Sequence, residues 1–94
     1  MSASGNATAN ATAVPVQSLF EGDFLAFLVV LSSDDSIPAA CEKVADGVVG
    51  RRIPPRPGVP YVLRDENGTV VPDHLTVGEA GITEADYVVV AFRD

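Results

Sequence analysis

Phe24-Leu-Ala-Phe-Leu-Val-Val-Leu31 is an unbroken apolar run, entered through Glu21-Gly-Asp23 and left through Asp34-Asp35-Ser36. It reads as a strand, and it falls far short of the roughly 20 residues a membrane span needs. Its two faces are equally apolar. Phe24, Ala26, Leu28 and Val30 lie on one parity, and Leu25, Phe27, Val29 and Leu31 on the other. A strand covered on one side alternates with polar residues, so this one needs cover on both. Which parity faces the interior does not follow from the run itself.

Working outward, Val14 to Glu21 alternates loosely and reads as a preceding strand, with Pro15 at its opening where a missing N–H does least harm. After the run, Asp34, Asp35 and Ser36 offer helix caps, and Pro38 suits a first turn. Ile37, Cys41, Val44, Ala45, Val48 and Val49 recur at helical spacing, which predicts a helix over 36–52. Ile53 to Pro60 carries four prolines and can only be an extended return. Asn67-Gly68 then marks a hairpin between 61–66 and 69–71. Thr76-Val-Gly-Glu79 is a capping box, Gly81 stops its turn, and Tyr87 to Arg93 is a closing strand. Two strands, a helix, two strands, a capped turn and a strand describe an α+β fold, the β-grasp: a mixed sheet packed on one helix. The domain is expected over 14–94. Met1 to Ala13 contains only Met, Ser, Ala, Gly, Asn and Thr and is expected to be a mobile, disordered tail.

Composition excludes several classes of function. With 94 residues the chain makes one domain, and 47% hydrophobic content supplies a core. Thirteen acidic against six basic side chains give a net charge of −7, which opposes the phosphate backbone, so no nucleic-acid partner is expected. The single cysteine, Cys41, forbids an internal disulfide and sits on the apolar helix face, as a structural thiol does. Residues 1–13 lack the basic and leucine-rich parts of a signal peptide. Without one, the Asn-x-Thr sequons at Asn6, Asn10 and Asn67 read as chance matches. The reading is a cytoplasmic chain with no membrane segment.

Catalytic chemistry is missing from the sequence. His74 is the only histidine, and metal sites need three or four converging ligands. Asp34-Asp35 and Asp65-Glu66 are adjacent carboxylates at turns, unlike the opposed pair that acid–base catalysis needs. Arg51-x-x-Pro54-x-x-Pro57 matches an SH3 ligand formally, but it is pinned between helix and strand. Arg51, Arg52 and Arg56 are half of all basic residues. They either offset the dipole of a solvated helix end or pair with carboxylates of a partner. With Leu25 and Phe27 of the apolar run, they are the candidate partner-interface residues. Ubiquitin-like modifiers and sulfur carriers share this element order but react through a flexible Gly-Gly tail. Here the last strand leads into Phe92-Arg93-Asp94, and carrier chemistry is not expected.

Phe20-Glu-Gly-Asp-Phe-Leu25, Asp35-Ser36, Cys41-Glu-Lys-Val-Ala45, Gly50-Arg-Arg-Ile-Pro-Pro-Arg-Pro-Gly-Val59 and Leu75-Thr-Val-Gly-Glu-Ala-Gly-Ile82 together resemble the small ubiquitin-like gamma subunit of bacterial multicomponent toluene, xylene and alkene or isoprene monooxygenases. The arginine–proline block is the most specific part. The likeness runs from about Phe20 to Phe92, and the long Ala/Asn/Thr tail departs from it. The resemblance implies a non-catalytic subunit that braces a large alpha subunit carrying a di-iron centre. A beta subunit would complete the hydroxylase, as a dimer of such trimers. It also implies a reductase and Rieske-type ferredoxin drawing on NADH, an effector protein, and an aromatic or alkene substrate. No cofactor is expected in this chain. The competing reading is a free-standing β-grasp adaptor for an unrelated partner. The hydrocarbon itself would be chosen in a cavity of another chain.

Overall fold

The computed structural model describes residues 11–93. Its elements are β1 (Ala13–Phe20), β2 (Phe27–Ser32), α1 (Ile37–Asp46), β3 (Tyr61–Arg64) and β4 (Tyr87–Phe92). The sheet order is β2-β1-β4-β3. β1 is antiparallel to β2 and parallel to β4, and β4 is antiparallel to β3. This is the mixed sheet on one helix that the element order predicts. Most of the predicted tail, 1–10, lies outside the described residues. Ala13, assigned to that tail, instead opens β1 opposite Ser32.

Every strand sends one parity towards the helix. Val14, Val16, Phe20, Leu31, Leu63, Val88 and Val90 meet Ile37, Cys41, Val44 and Val48 in a single core. Phe20 is its largest fully buried side chain. Its ring stands edge-on to Tyr61 at 6.0 Å and to Phe92 at 5.3 Å, where the aromatic quadrupoles attract. Ser18 is buried on the same face, and its hydroxyl donates to the Phe27 carbonyl at 3.0 Å. A buried polar group is thereby satisfied where β2 begins.

Several boundaries differ from the sequence-based expectation. β2 starts at Phe27 rather than Phe24, because Ser18↔Phe27 is the last pair that β1 makes with it. β1 runs on beside β4 alone, and the Glu21 amide donates to Val90 O at 2.8 Å. The helix is capped by Ser36, whose hydroxyl accepts from the Ala39 amide at 3.2 Å, but it ends at Asp46 rather than Arg52. Gly47 closes it, and the amides of Arg51, Arg52 and Ile53 all turn onto the Val48 carbonyl. The apolar recurrence outlasts the helix because Val48 still reaches the core from this turn. Glycine at 47 and 50 is poorly suited to continue it.

The hairpin loop is one residue longer than Asn67-Gly68. Gly68 N–H donates to Asp65 O, and Asp65 N–H donates to Thr69 O, leaving a three-residue loop with Gly68 at φ 82. The strand expected over 69–71 is reduced to one bridge, Arg64↔Val70. The capping box forms in full: Thr76 Oγ1 accepts from the Glu79 amide at 3.1 Å, and the Thr76 amide donates to Glu79 Oε1 at 2.9 Å.

Two substitutions separate core from cap. Phe20→Ala should cost about 3–5 kcal/mol in urea unfolding, whereas Thr76→Ala, which removes one hydroxyl acceptor, should cost about 1 kcal/mol. Equal losses would mean that Phe20 does not anchor the core.

Candidate partner-docking surface

The parity left open by the core forms the outer face of the sheet. It carries Leu28 and Val30 of β2, Pro15, Gln17 and Leu19 of β1, Tyr87, Val89 and Ala91 of β4, and Val62 and Arg64 of β3. The register sets Leu28, Gln17 and Tyr87 side by side, and likewise Leu19, Val89 and Arg64. Apart from the Tyr87 hydroxyl, the polar residues of this face are Gln17, Arg64 and, at the end of β2, Ser32. Val62 and Ala91 are buried, while Leu28 is 60%, Val30 56% and Tyr87 37% exposed, so the uncovered part of this face runs from the β2 edge across Gln17 to the start of β4. A largely apolar face of this kind is a candidate contact surface.

The register also settles the parity of the apolar run. Phe27, Val29 and Leu31 point to the helix side, and Leu28 and Val30 point away from it. Phe27, a candidate contact residue, packs against the core; a Cβ at Gly47 would lie 3.3 Å from its ring. Leu25 sits in the connection before β2, 48% exposed, next to Phe24 at 86%. The two candidates therefore do not share a face.

The three arginines are engaged differently. Arg52 donates through Nε to both carboxylate oxygens of Asp23, at 2.9 and 3.2 Å. The Asp23 side chain is only 1% exposed, and its Oδ1 also accepts the Phe24 amide at 2.8 Å. Burial pushes this carboxyl up, but the Arg52 hydrogen bond and charge and the amides of Phe24 and Leu25 outweigh it, and its pKa falls below the ordinary value. Arg56 lies over the Phe92 ring, 5.1 Å from its centroid. Arg51 is exposed. They lie beyond the last turn of α1, which ends at Asp46; the basic residue in that turn is Lys43, which reaches Asp35 at 2.7 Å. The pair between Asp23 and Arg52 was beyond sequence reasoning, since nothing local links positions 29 apart.

Several other carboxylates shape turns. Asp35 accepts the Ser32 amide, Asp34 the Ser32 hydroxyl, and Asp65 the amides of Asn67 and Thr69. His74 is exposed. Burial, with Asp73 next in effect, pushes the Cys41 thiol up to about 12, which leaves no thiolate at neutral pH. Among the described residues, no three His, Cys, Asp or Glu side chains are grouped to hold a metal ion. No helix of the described residues is long and apolar enough to cross a membrane.

A four-stranded mixed sheet in the order β2-β1-β4-β3, packed on one helix, is a ubiquitin-like β-grasp domain. The ubiquitin-like domain of EccD5 from Mycobacterium xenopi shares the fold at TM-score 0.69, with 18% identity over 88% of this chain and 97% of that one. The chain belongs to the toluene-4-monooxygenase system protein B family, whose model matches residues 13–92. It is 37% identical over 83 residues to the gamma subunit of the toluene-4-monooxygenase hydroxylase component of Ectopseudomonas mendocina, spanning 88% of this chain and 99% of the relative. The gamma subunit of the alkene monooxygenase oxygenase component of Xanthobacter autotrophicus is 46% identical over 43 residues, 46% of this chain and 49% of that protein. A chain in a solved toluene 4-monooxygenase complex with the inhibitor 4-bromobenzoate superposes at TM-score 0.81, with 37% identity over 87% of this chain and 100% of that chain.

Two measurements check the titratable groups. A carboxyl whose folded pKa is depressed stabilises the fold above its unfolded pKa and loses that effect as pH falls through the folded value. Asp23→Asn should therefore lower Tm at pH 7, with the gap to wild type closing below about pH 3.8. A gap unchanged across that range would remove the ionic contribution. Cys41 should resist a thiol-specific reagent at pH 8 in the folded protein and react in full once urea unfolds it.

Proposed function

We propose that this chain is the gamma subunit of the hydroxylase component of a bacterial multicomponent hydrocarbon monooxygenase. It binds and braces the large alpha subunit and takes no part in the chemistry. The near-full-length likeness to a hydroxylase gamma subunit carries this reading. The apolar outer face supports it, since a face without polar alternation suits permanent cover by another chain better than open solvent. In this reading the oxidation of an aromatic ring or an alkene takes place at a di-iron centre in the alpha subunit. The beta subunit completes the hydroxylase as a dimer of αβγ trimers, and a reductase, a ferredoxin and an effector protein serve it in the cytoplasm. The role of the gamma chain is then mechanical: a rigid β-grasp domain, with its own core closed, limits the motions of the surface it covers.

The reading is tested by tagging this chain and co-expressing it with the alpha and beta subunits from its own gene cluster. An iron-containing complex that co-purifies with the tag is expected, together with loss of complex yield when the chain is omitted. Recovery of the chain alone would overturn it. Leu28→Glu with Val30→Glu should leave the isolated chain folded by circular dichroism, because both side chains point away from the core, yet abolish co-purification. If the double variant assembles normally, the outer face of β2 is not the docking surface.

A further inference from the structure

We infer that the Phe24–Leu25 turn is the anchor of this docking, a rigid apolar knob that enters an apolar pocket edged by carboxylates on the large hydroxylase subunit. The inference rests on the subunit reading above and adds the residue that fixes its position. Phe24 is the most exposed large hydrophobic side chain of the described residues, at 86%. An exposed Phe at the tip of a mobile loop would say little, but this one is held in place. Gly22 turns the chain at φ 100, a conformation that L side chains rarely adopt, and the Asp23 amide closes the turn on Phe20 O at 2.9 Å. The buried Asp23 carboxylate then grips the Phe24 amide at 2.8 Å while Arg52 clamps its two oxygens. Ile53 packs beneath, its Cδ1 at 3.4 Å from where a Cβ on Gly22 would stand.

A buried ion pair is a weak device for stability, but this one fixes a backbone whose side chain is left in water. That is an arrangement suited to an interface hot spot: an exposed aromatic on a backbone already fixed, so that little backbone freedom is lost on docking. The same clamp brings the arginine block and the apolar turn together, which their separation in sequence does not suggest. Arg51 is exposed, and the Arg52 side chain keeps 39% of its surface after pairing. Cations beside an apolar knob call for a pocket whose rim is acidic. A second copy of this chain does not fit that description. Its net charge of −7 opposes self-association. The turn leads into Leu28 and Val30, so anchor and outer face form one continuous stretch of chain.

The experiment uses the full chain with the alpha and beta subunits, measuring affinity by titrating labelled gamma chain into the αβ hydroxylase. Phe24→Ala should keep the wild-type Tm and weaken assembly by at least about 30-fold, the loss typical of a hot spot. Leu25→Ala should weaken it less, and Arg51→Glu should slow association and flatten its salt dependence. Wild-type affinity in Phe24→Ala overturns the anchor alone, while failure of the wild-type chain to assemble overturns the subunit reading and the anchor with it. A wild-type homodimer in sedimentation that Phe24→Ala dissolves, with αβ binding untouched, identifies a second copy as the occupant and also overturns the proposal.

Discussion

The parallel pairing of β1 with β4 is the contact on which the rest of the structure depends. It joins the beginning of the described chain to its end, Gln17 opposite Tyr87 and Phe20 opposite Val90. It also places both strands in the middle of the sheet, between β2 and β3. Their inward residues, Val16, Phe20, Val88 and Val90, are almost completely buried, and the helix can close the core only once this pair exists. A contact between residues this far apart must overcome the entropy of closing a long loop. The turns between the two strands lower that cost by being shaped locally, through the Ser36 cap, the Asp65 turn and the capping box at Thr76 and Glu79.

The acidic character of the chain acquires a structural meaning from those turns. Asp34, Asp35, Asp65, Glu79 and Asp86 each accept hydrogen bonds from residues within four positions of themselves. These carboxylates hold turns in shape, and the single thiol is buried in the core. These five acids thus contribute to the rigidity of the turns. Asp23 is the exception in kind: its carboxylate is inside, its partner comes from the other side of the helix in sequence, and what it stabilises is an exposed turn.

In the bracing role proposed above, rigidity is what the fold would contribute. A partner that must hold an oxidising centre in one geometry gains from a neighbour whose own core is complete and whose contact surface does not rearrange on docking. The outer sheet face supplies area, and the turn before β2 supplies a fixed point. The division follows from β1, which leaves β2 after Ser18 to continue beside β4 and so frees residues 21–26 to form that turn.

The sequence by itself determined the order of the main elements, the caps and the turn glycines, because each is written in neighbouring residues. Ser36, Asn67-Gly68, Thr76 with Glu79, and the proline return are legible for that reason. It also determined that Phe24 to Leu31 has two apolar faces, although not which one is inside, since both parities are equally apolar. Only the tertiary structure decided that Phe27, Val29 and Leu31 face the helix and that Leu28 and Val30 do not, through the pairing of Ser18 with Phe27. The helix end was hidden by Val48, which keeps the helical spacing of core residues while sitting in a turn. The fate of the arginines was hidden more deeply. A guanidinium 29 residues from its carboxylate leaves no local signature, and the ion pair exists because the core brings the turn at Gly22 against Ile53. Local interactions are encoded where they act, whereas register and long-range pairing are consequences of the whole core closing at once.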